Sequence, residues 1–474
     1  MFILFILISI VISLSIYFVN NKAFTKIISS VFLMSLFAIN GYAYQHIGEI
    51  NSIYFKFDNL GVLLTFVLVI LSLSTFYHSK LYLQRHSFTP RQEAIYYVSL
   101  VMLITAMMSA YFSENIAVMW ISIEATTLFV SILIFHERTK DSLEAAWKYL
   151  FVSSFGVALA FIGILFLSIT ASSNGITDLN LHHLLAISKS MSPIWLKMAF
   201  LFVLTGFSAK MGLFPLHTVA VDAHTVAPPP ISAFISTTLM NVGFLGIFRI
   251  FTIIAQTEVL HWAQNILIIA GSLSVFMSAI QLLRIRHFKR MFAFSSLEHM
   301  GIVALGLGIG GIGYYAAILH IIFHSFVKAG LFYQIGQVYQ FFKSYWIKDV
   351  SGYFKLNPIG ALSIILGVIS ILAIPPSGLF ISEFMVFKAM FVQHHYYIAI
   401  FILILLTVII YSFSKNSFHL LYGQNNDEIK INDFKINPYE TISQFVLFGL
   451  VIYLGINPPL FFTDLINAAI TVLN

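Results

Sequence analysis

Runs of apolar residues recur from one end of the chain to the other with short polar segments between them. Most are about 18–25 residues long, enough to cross roughly 30 Å of hydrocarbon as an α-helix. They fall near 2–19, 25–45, 59–77, 93–112, 115–135, 146–172, 195–222, 230–256, 262–283, 291–309, 313–341, 359–393, 397–421 and 440–463. The pattern predicts an all-α polytopic membrane protein with about fourteen transmembrane helices.

Two of the runs are too long and too broken to be simple spans. In one, Lys210-Met-Gly-Leu-Phe-Pro-Leu-His217 places Gly212 and Pro215 at mid-membrane and is followed by Asp222, His224 and three prolines at 228–230. In the other, Pro375, Pro376 and Gly378 interrupt the run before Glu383, and Gly-Leu-Phe at 378–380 echoes Gly-Leu-Phe at 212–214. Corresponding interruptions in two halves point to inverted repeats, in which unwound backbone lines a site near the midplane. The expected division is a three-helix segment over 1–92, a first five-helix repeat over 93–256, a second over 257–421 and a C-terminal helix over 422–474. Ordinary proline kinks are the alternative, but each break here lies beside an intramembrane charge.

Composition agrees with this pattern. Of 474 residues 59% are hydrophobic and 9% charged, against about 45–50% and 25% in soluble proteins. Without cysteine the chain holds no disulfide, thiolate metal site or iron–sulfur cluster, so electron chemistry must sit on another subunit. The formal charge of +6 is spread over short loops rather than gathered in one block, which argues for membrane topology and against nucleic acid. About eighteen basic residues, from Lys22 and Lys26 through Lys289 and Arg290 to Lys430 and Lys435, fall on one side, against Lys56, Lys189, Lys197 and Arg249 on the other. The bias predicts a cytoplasmic basic face and both termini outside. The first segment lacks a basic start and a cleavage site, so it is expected to remain as a transmembrane helix.

Lys210, Lys328, Lys388, Glu124, Asp222, Glu298 and Glu383 lie inside apolar runs. An ionised group at the bilayer centre costs roughly 3 kcal/mol or more, so these residues are expected to face the bundle interior and find partners there. Lys210 is the natural partner for Glu124. Burial disfavours both charges while each favours the other, so a change in their separation moves a proton; a structural ion pair locking two helices is the alternative. His320, His324 and Lys328 recur every fourth residue, forming one polar stripe roughly 12 Å long on an otherwise apolar helix. That suits a proton wire, whereas a zinc site lacks a third ligand. Lys388 is expected to snorkel. Gly306 to Gly313 reads as a packed helix–helix turn rather than a nucleotide loop, and 137–148 as a solvated loop able to dock a partner.

Six stretches together resemble a known family: Trp120-Ile-Ser-Ile-Glu-Ala-Thr-Thr127, Ser142-Leu-Glu-Ala-Ala-Trp-Lys-Tyr149, Ala209-Lys-Met-Gly-Leu-Phe-Pro-Leu-His217, Asp222-Ala-His-Thr-Val-Ala-Pro228, Ser295-Ser-Leu-Glu-His-Met-Gly301 and His324-Ser-Phe-Val-Lys-Ala-Gly330. Over roughly 60–400 the chain resembles the antiporter-like proton-translocating subunits of respiratory complex I, most closely hydrogenase-4 component F and its relatives in membrane-bound nickel–iron hydrogenases. The resemblance implies fourteen helices, two inverted five-helix repeats, an inner-membrane location, and proton movement coupled to redox chemistry in neighbouring membrane and peripheral subunits. Iron–sulfur clusters and nickel–iron or quinone would belong to those partners, and none to this chain. By motif position Glu124 and Lys210 would be the glutamate–lysine pair, Lys328 the central lysine and Glu383 the acidic exit residue; His217, Asp222, His224, Glu298, His320 and His324 join them as expected proton-path residues. Asn241 stands where relatives usually carry a lysine, so the link between the halves is expected to run through His320, His324 or water. After the fourteenth apolar run no long lateral helix like that of the largest complex I subunit is expected. Sodium as the moved ion, a subunit of a multi-component sodium/proton antiporter, and a membrane subunit of an inorganic-carbon accumulation complex share the same residues and remain open. A stand-alone enzyme is disfavoured, since no nucleophile–base pair, cofactor loop or metal cluster stands out.

Overall fold

The computed structural model describes residues 1–424 and 437–473. Lys430 and Lys435, counted above among the basic residues, lie outside the described residues. The first half runs α1 (Phe2–Val19), α2 (Lys22–Gln45), α3 (Asn59–Gln84), α4 (Pro90–Phe112), α5 (Ile116–Ile134), α6 (Lys140–Ser172), α7 (Leu181–Ile187), α8 (Pro193–Met211), α9 (Thr218–Val226), α10 (Pro229–Phe234) and α11 (Met240–Ala255). The second half runs α12 (Leu260–Leu283), α13 (Phe288–Ile309), α14 (Ile312–Phe342), α15 (Tyr353–Leu356), α16 (Pro358–Ile371), α17 (Gly378–Val392), α18 (Tyr396–Tyr422), α19 (Ile442–Ile456) and α20 (Leu460–Ile470). Strands β1 (Ile50–Ser52) and β2 (Phe55–Lys56) form a small hairpin before α3.

Thirteen helices among the described residues are long and apolar enough to cross a membrane. The fourteenth expected span is the broken pair α16–α17, whose halves are joined by Leu372–Ser377. The first broken span is α8–α9, where Gly212 ends α8 in the left-handed conformation at φ 77°. Proline supplies no N–H and glycine tolerates positive φ, so both breaks follow from the sequence. The Gly306 to Gly313 run closes the α13–α14 turn as expected, with φ of 80° at Gly310 and 57° at Gly311.

Three expectations need correction. The segment 137–148 is not a loop, because α6 begins at Lys140 behind a capping box between Thr139 and Ser142, which supplies the orphan N–H groups of the first turn. The last run is not one helix but α19 and α20, separated at Asn457-Pro458-Pro459. Between α10 and α11 the expected plain helix contains a π-helical turn over Ile235–Leu239, a feature often found at functional sites.

Burial sorts the helices into rim and core. Only 33% of the apolar window is buried in α1 and α2, whereas 94% is buried across Pro229–Ala255 and in α14, and 100% in α13. The core helices therefore carry their polar side chains away from lipid, as the cost of intramembrane charge requires.

Candidate functional site

The first cluster lies where α5, α6 and α8 meet. Asn115 caps α5 through Ala117 and Val118 N–H, and two turns on Glu124 sits half-buried on its flank. Glu124 accepts from Ser154 of α6 at 2.7 Å and from Thr127 at 3.3 Å. Lys210 occupies the last turn of α8, where the helix dipole favours a cation, and is 2% exposed. Its Nζ donates to Thr127 Oγ1 at 2.6 Å, Tyr149 OH at 3.1 Å and Thr126 Oγ1 at 3.4 Å. The expected glutamate–lysine pair is therefore joined through the Thr127 hydroxyl. Gly243 of α11 makes room beside it, since a Cβ there would lie 2.4 Å from Met211 N.

The second cluster lies among α13, α14 and α17. His320, His324 and Lys328 are fully buried on α14 and share one side of it. Lys328 Nζ donates to the Phe292 carbonyl and the Ser295 hydroxyl of α13. His299 Nδ1 and His320 Nε2 share a proton at 3.0 Å, and His320 Nδ1 meets Ser382 Oγ of α17 at 2.9 Å. His324 packs 5.3 Å from the His299 ring, and neither of its ring nitrogens has a protein partner. Buried imidazole nitrogens of this kind call for ordered water. Glu298 is 4% exposed, with Lys328 and Glu383 as the charges acting on it.

Between the clusters, Asn241 of α11 and Ser325 of α14 exchange hydrogen bonds at 3.1 and 3.2 Å. The π-helical turn contributes Ser236, which meets Ser296 of α13 at 2.8 Å. A polar seam thus joins the halves at the position expected to carry a break in the lysine series.

A model of the family described as NADH:quinone oxidoreductase/Mrp antiporter, TM, matches residues 113–409. The chain belongs to this family. Hydrogenase-4 component F homolog of Methylacidiphilum infernorum (isolate V4) is 32% identical over 348 residues, 72% of this chain and 73% of that protein. Hydrogenase-4 component B of Escherichia coli (strain K12) is 24% identical over 72% of this chain, which spans only 52% of that relative. A chain of the membrane-bound sulfane sulfur reductase, an archaeal respiratory membrane complex, superposes with a TM-score of 0.87 at 20% identity, covering 100% of this chain and 97% of that one. The fold of an antiporter-like subunit thus extends over the whole described chain.

Against that family background the expected residues divide. The structure brings together Glu124 with Lys210, and His320, His324 and Lys328 with Glu298, and it places Asn241 on the seam. His217 and His224 are buried in the first broken span; His217 Nδ1 and both nitrogens of His224 lack protein partners, and His224 stacks on Phe332 at 5.5 Å. Asp222 does not belong to the interior as expected: its side chain is 38% exposed and faces Arg290 at 3.5 Å. Glu383 is half-buried, and Lys388 is exposed. Lys289 was expected in a loop, yet it is 1% exposed, donating to Thr225 O at 3.2 Å and Ala227 O at 2.6 Å. It thereby satisfies carbonyls left open where α9 ends.

Sequence reasoning missed several partners. Thr127 stands three residues from Glu124, a spacing that puts both on one helix face. Ser154 and Ser382 carry no such signal, since isolated serines in membrane helices commonly bond back to their own helix. On the opposite face Arg249 makes a bidentate pair with Asp58, both bonds 2.8 Å, and Glu114 accepts from His182 Nδ1 at 2.6 Å. Among the described residues no group of three or more His, Asp or Glu side chains is arranged to hold a metal.

Proposed function

We propose that this chain is a proton-translocating membrane subunit of a redox-driven complex. The observation that carries the reading is a pair of buried lysines, Lys210 and Lys328, each ending a chain of hydroxyl or imidazole groups inside a member of the antiporter family. Glu124 and Lys210 exchange a proton through Thr127 in the first half. The Asn241–Ser325 seam and ordered water join that step to Lys328, from which His324, His299, His320 and Ser382 lead toward Glu383. Glu298 balances charge beside Lys328, while His217 and His224 serve the first broken span and Asp222 stands at its mouth on the basic face. The two halves, 93–256 and 257–421, act as related repeats.

The residues move protons but supply no electron carrier, so oxidation and reduction occur on partners. Iron–sulfur clusters with nickel–iron or quinone chemistry on neighbouring subunits fit the hydrogenase-4 relatives. The assembly is expected in the inner membrane with the basic face cytoplasmic and both termini outside. Sodium in place of protons is an outcome of the test.

The test is proton uptake by inverted membrane vesicles carrying Lys328→Met, driven through the complex's own electron transfer. Losing a titratable relay group is expected to lower the rate of proton uptake by roughly a hundredfold, in the range of positioned proton-transfer groups, with assembly unchanged. Undiminished proton uptake overturns the reading. Uptake of sodium instead, in the native complex, reassigns the ion.

A further inference from the structure

Away from the buried chain, the basic-face ends of α2, α3 and α4 enclose a cavity of about 250 Å³. Lys22, Lys26, Lys80, Gln84, His86 and Glu93 are among its lining residues. Lys22 is engaged by Glu93 and by the Phe88 carbonyl. Lys26 and Lys80 are exposed, and among the described residues neither is in an ion pair. Three ammonium groups thus share one carboxylate around a single cavity. A surplus of two positive charges at the membrane surface, held on three helices, is a site for a phosphate oxyanion.

The surface leading away from the cavity shows where that phosphate comes from. On α3, Tyr77 and Leu73 follow Lys80 at steps of three and four residues, which keeps them on one face, and they are 38% and 43% exposed. On α2 the residues below Lys26 at helical spacing include Met34 and Phe37, 72% and 47% exposed. Cationic heads therefore stand directly above an apolar surface that runs toward the midplane. A free anion or an acidic peptide has no use for that surface, whereas an acyl chain does.

We infer that the cavity between α2, α3 and α4 binds the headgroup phosphate of an anionic phospholipid, whose acyl chains lie along α2 and α3. Lys26 and Lys80 hold the phosphate, and Lys22, fixed by Glu93, closes the site at the start of α2. The bound lipid fills the outward face of the N-terminal segment.

The test uses the intact complex in phosphatidylcholine nanodiscs containing a trace of phosphatidylglycerol with a photoreactive acyl chain. Saturable labelling of the α2–α3 surface is expected, and Lys26→Gln/Lys80→Gln is expected to weaken it about thirtyfold, the attraction of two lysines for an anionic lipid. The Lys26→Arg/Lys80→Arg pair, which keeps both charges, is expected to retain the label. Equal labelling in the glutamine pair overturns the inference, as does loss in the arginine pair. Displacement by millimolar inorganic phosphate or by an acidic peptide as effective as displacement by phosphatidylglycerol also overturns it, reassigning the cavity to a soluble anion or to a partner protein.

Discussion

Lys210 and Lys328 are both buried ammonium groups, yet the protein holds them by different chemistry. Around Lys210 the neighbours are hydroxyls, Thr126, Thr127 and Tyr149, and the matching acid is half-buried on a rim helix. Around Lys328 they are a carbonyl and a serine, followed by three imidazoles in the fully buried core. A hydroxyl passes a proton only by giving one up as it takes one, so in the proposed path the first cluster is a short relay between Glu124 and Lys210. An imidazole accepts at one ring nitrogen and donates from the other, so in the proposed path the second cluster passes the proton along a line of rings. The difference teaches that two buried lysines in one membrane protein need not be held for the same step.

The contrast can be broken most forcefully at His299, which bonds His320 and packs beside His324. His299→Leu is expected to lower the rate of proton uptake by roughly tenfold, since it leaves the buried His320 Nε2 unpaired; a change below twofold would show that the imidazoles are structural. Thr127→Val sharpens the other side. It removes the one hydroxyl shared by Glu124 and Lys210 but leaves Lys210 bonded to Tyr149, so a loss of about fivefold is expected in the same vesicle assay. A larger loss there than at His299 reverses the proposed division of labour. Ser382→Ala has the smallest expected effect, about twofold from one neutral hydrogen bond, because His320 keeps its bond to His299. Solvent-isotope comparison of Ser382→Ala with the parent complex checks that the serine passes a proton rather than merely orienting the ring.

Much of this was legible in the sequence, for identifiable reasons. Apolar runs fix spans because the bilayer demands a minimum length, and the two breaks announce themselves through proline and glycine. Lys210, His320, His324 and Lys328 stand out because charge and imidazole are rare in such runs. The partners were less legible. Ser154 and Ser382 come from helices distant in sequence, and local pattern cannot tell a serine that bonds its own carbonyl from one that reaches another helix. Asp222 and Lys289 were misplaced in opposite directions: the acid emerges beside Arg290, while the lysine, already in the first turn of α13, folds inward to the carbonyls of Thr225 and Ala227. Depth near a helix end depends on the neighbouring helix, which periodicity does not report.

The burial contrast between rim and core has a mechanical side. Membranes differ in thickness, and a helix in contact with acyl chains answers by tilting or by deforming the lipid around it. Helix α13, which carries Glu298 and His299, is wholly buried within the protein over its apolar window, so the less buried α1, α2, α18 and α19 are expected to absorb such mismatch before it reaches the imidazoles. The half-buried Glu124 on α5 has no comparable shield, and the two ends of the polar path should differ in how strongly bilayer composition is felt.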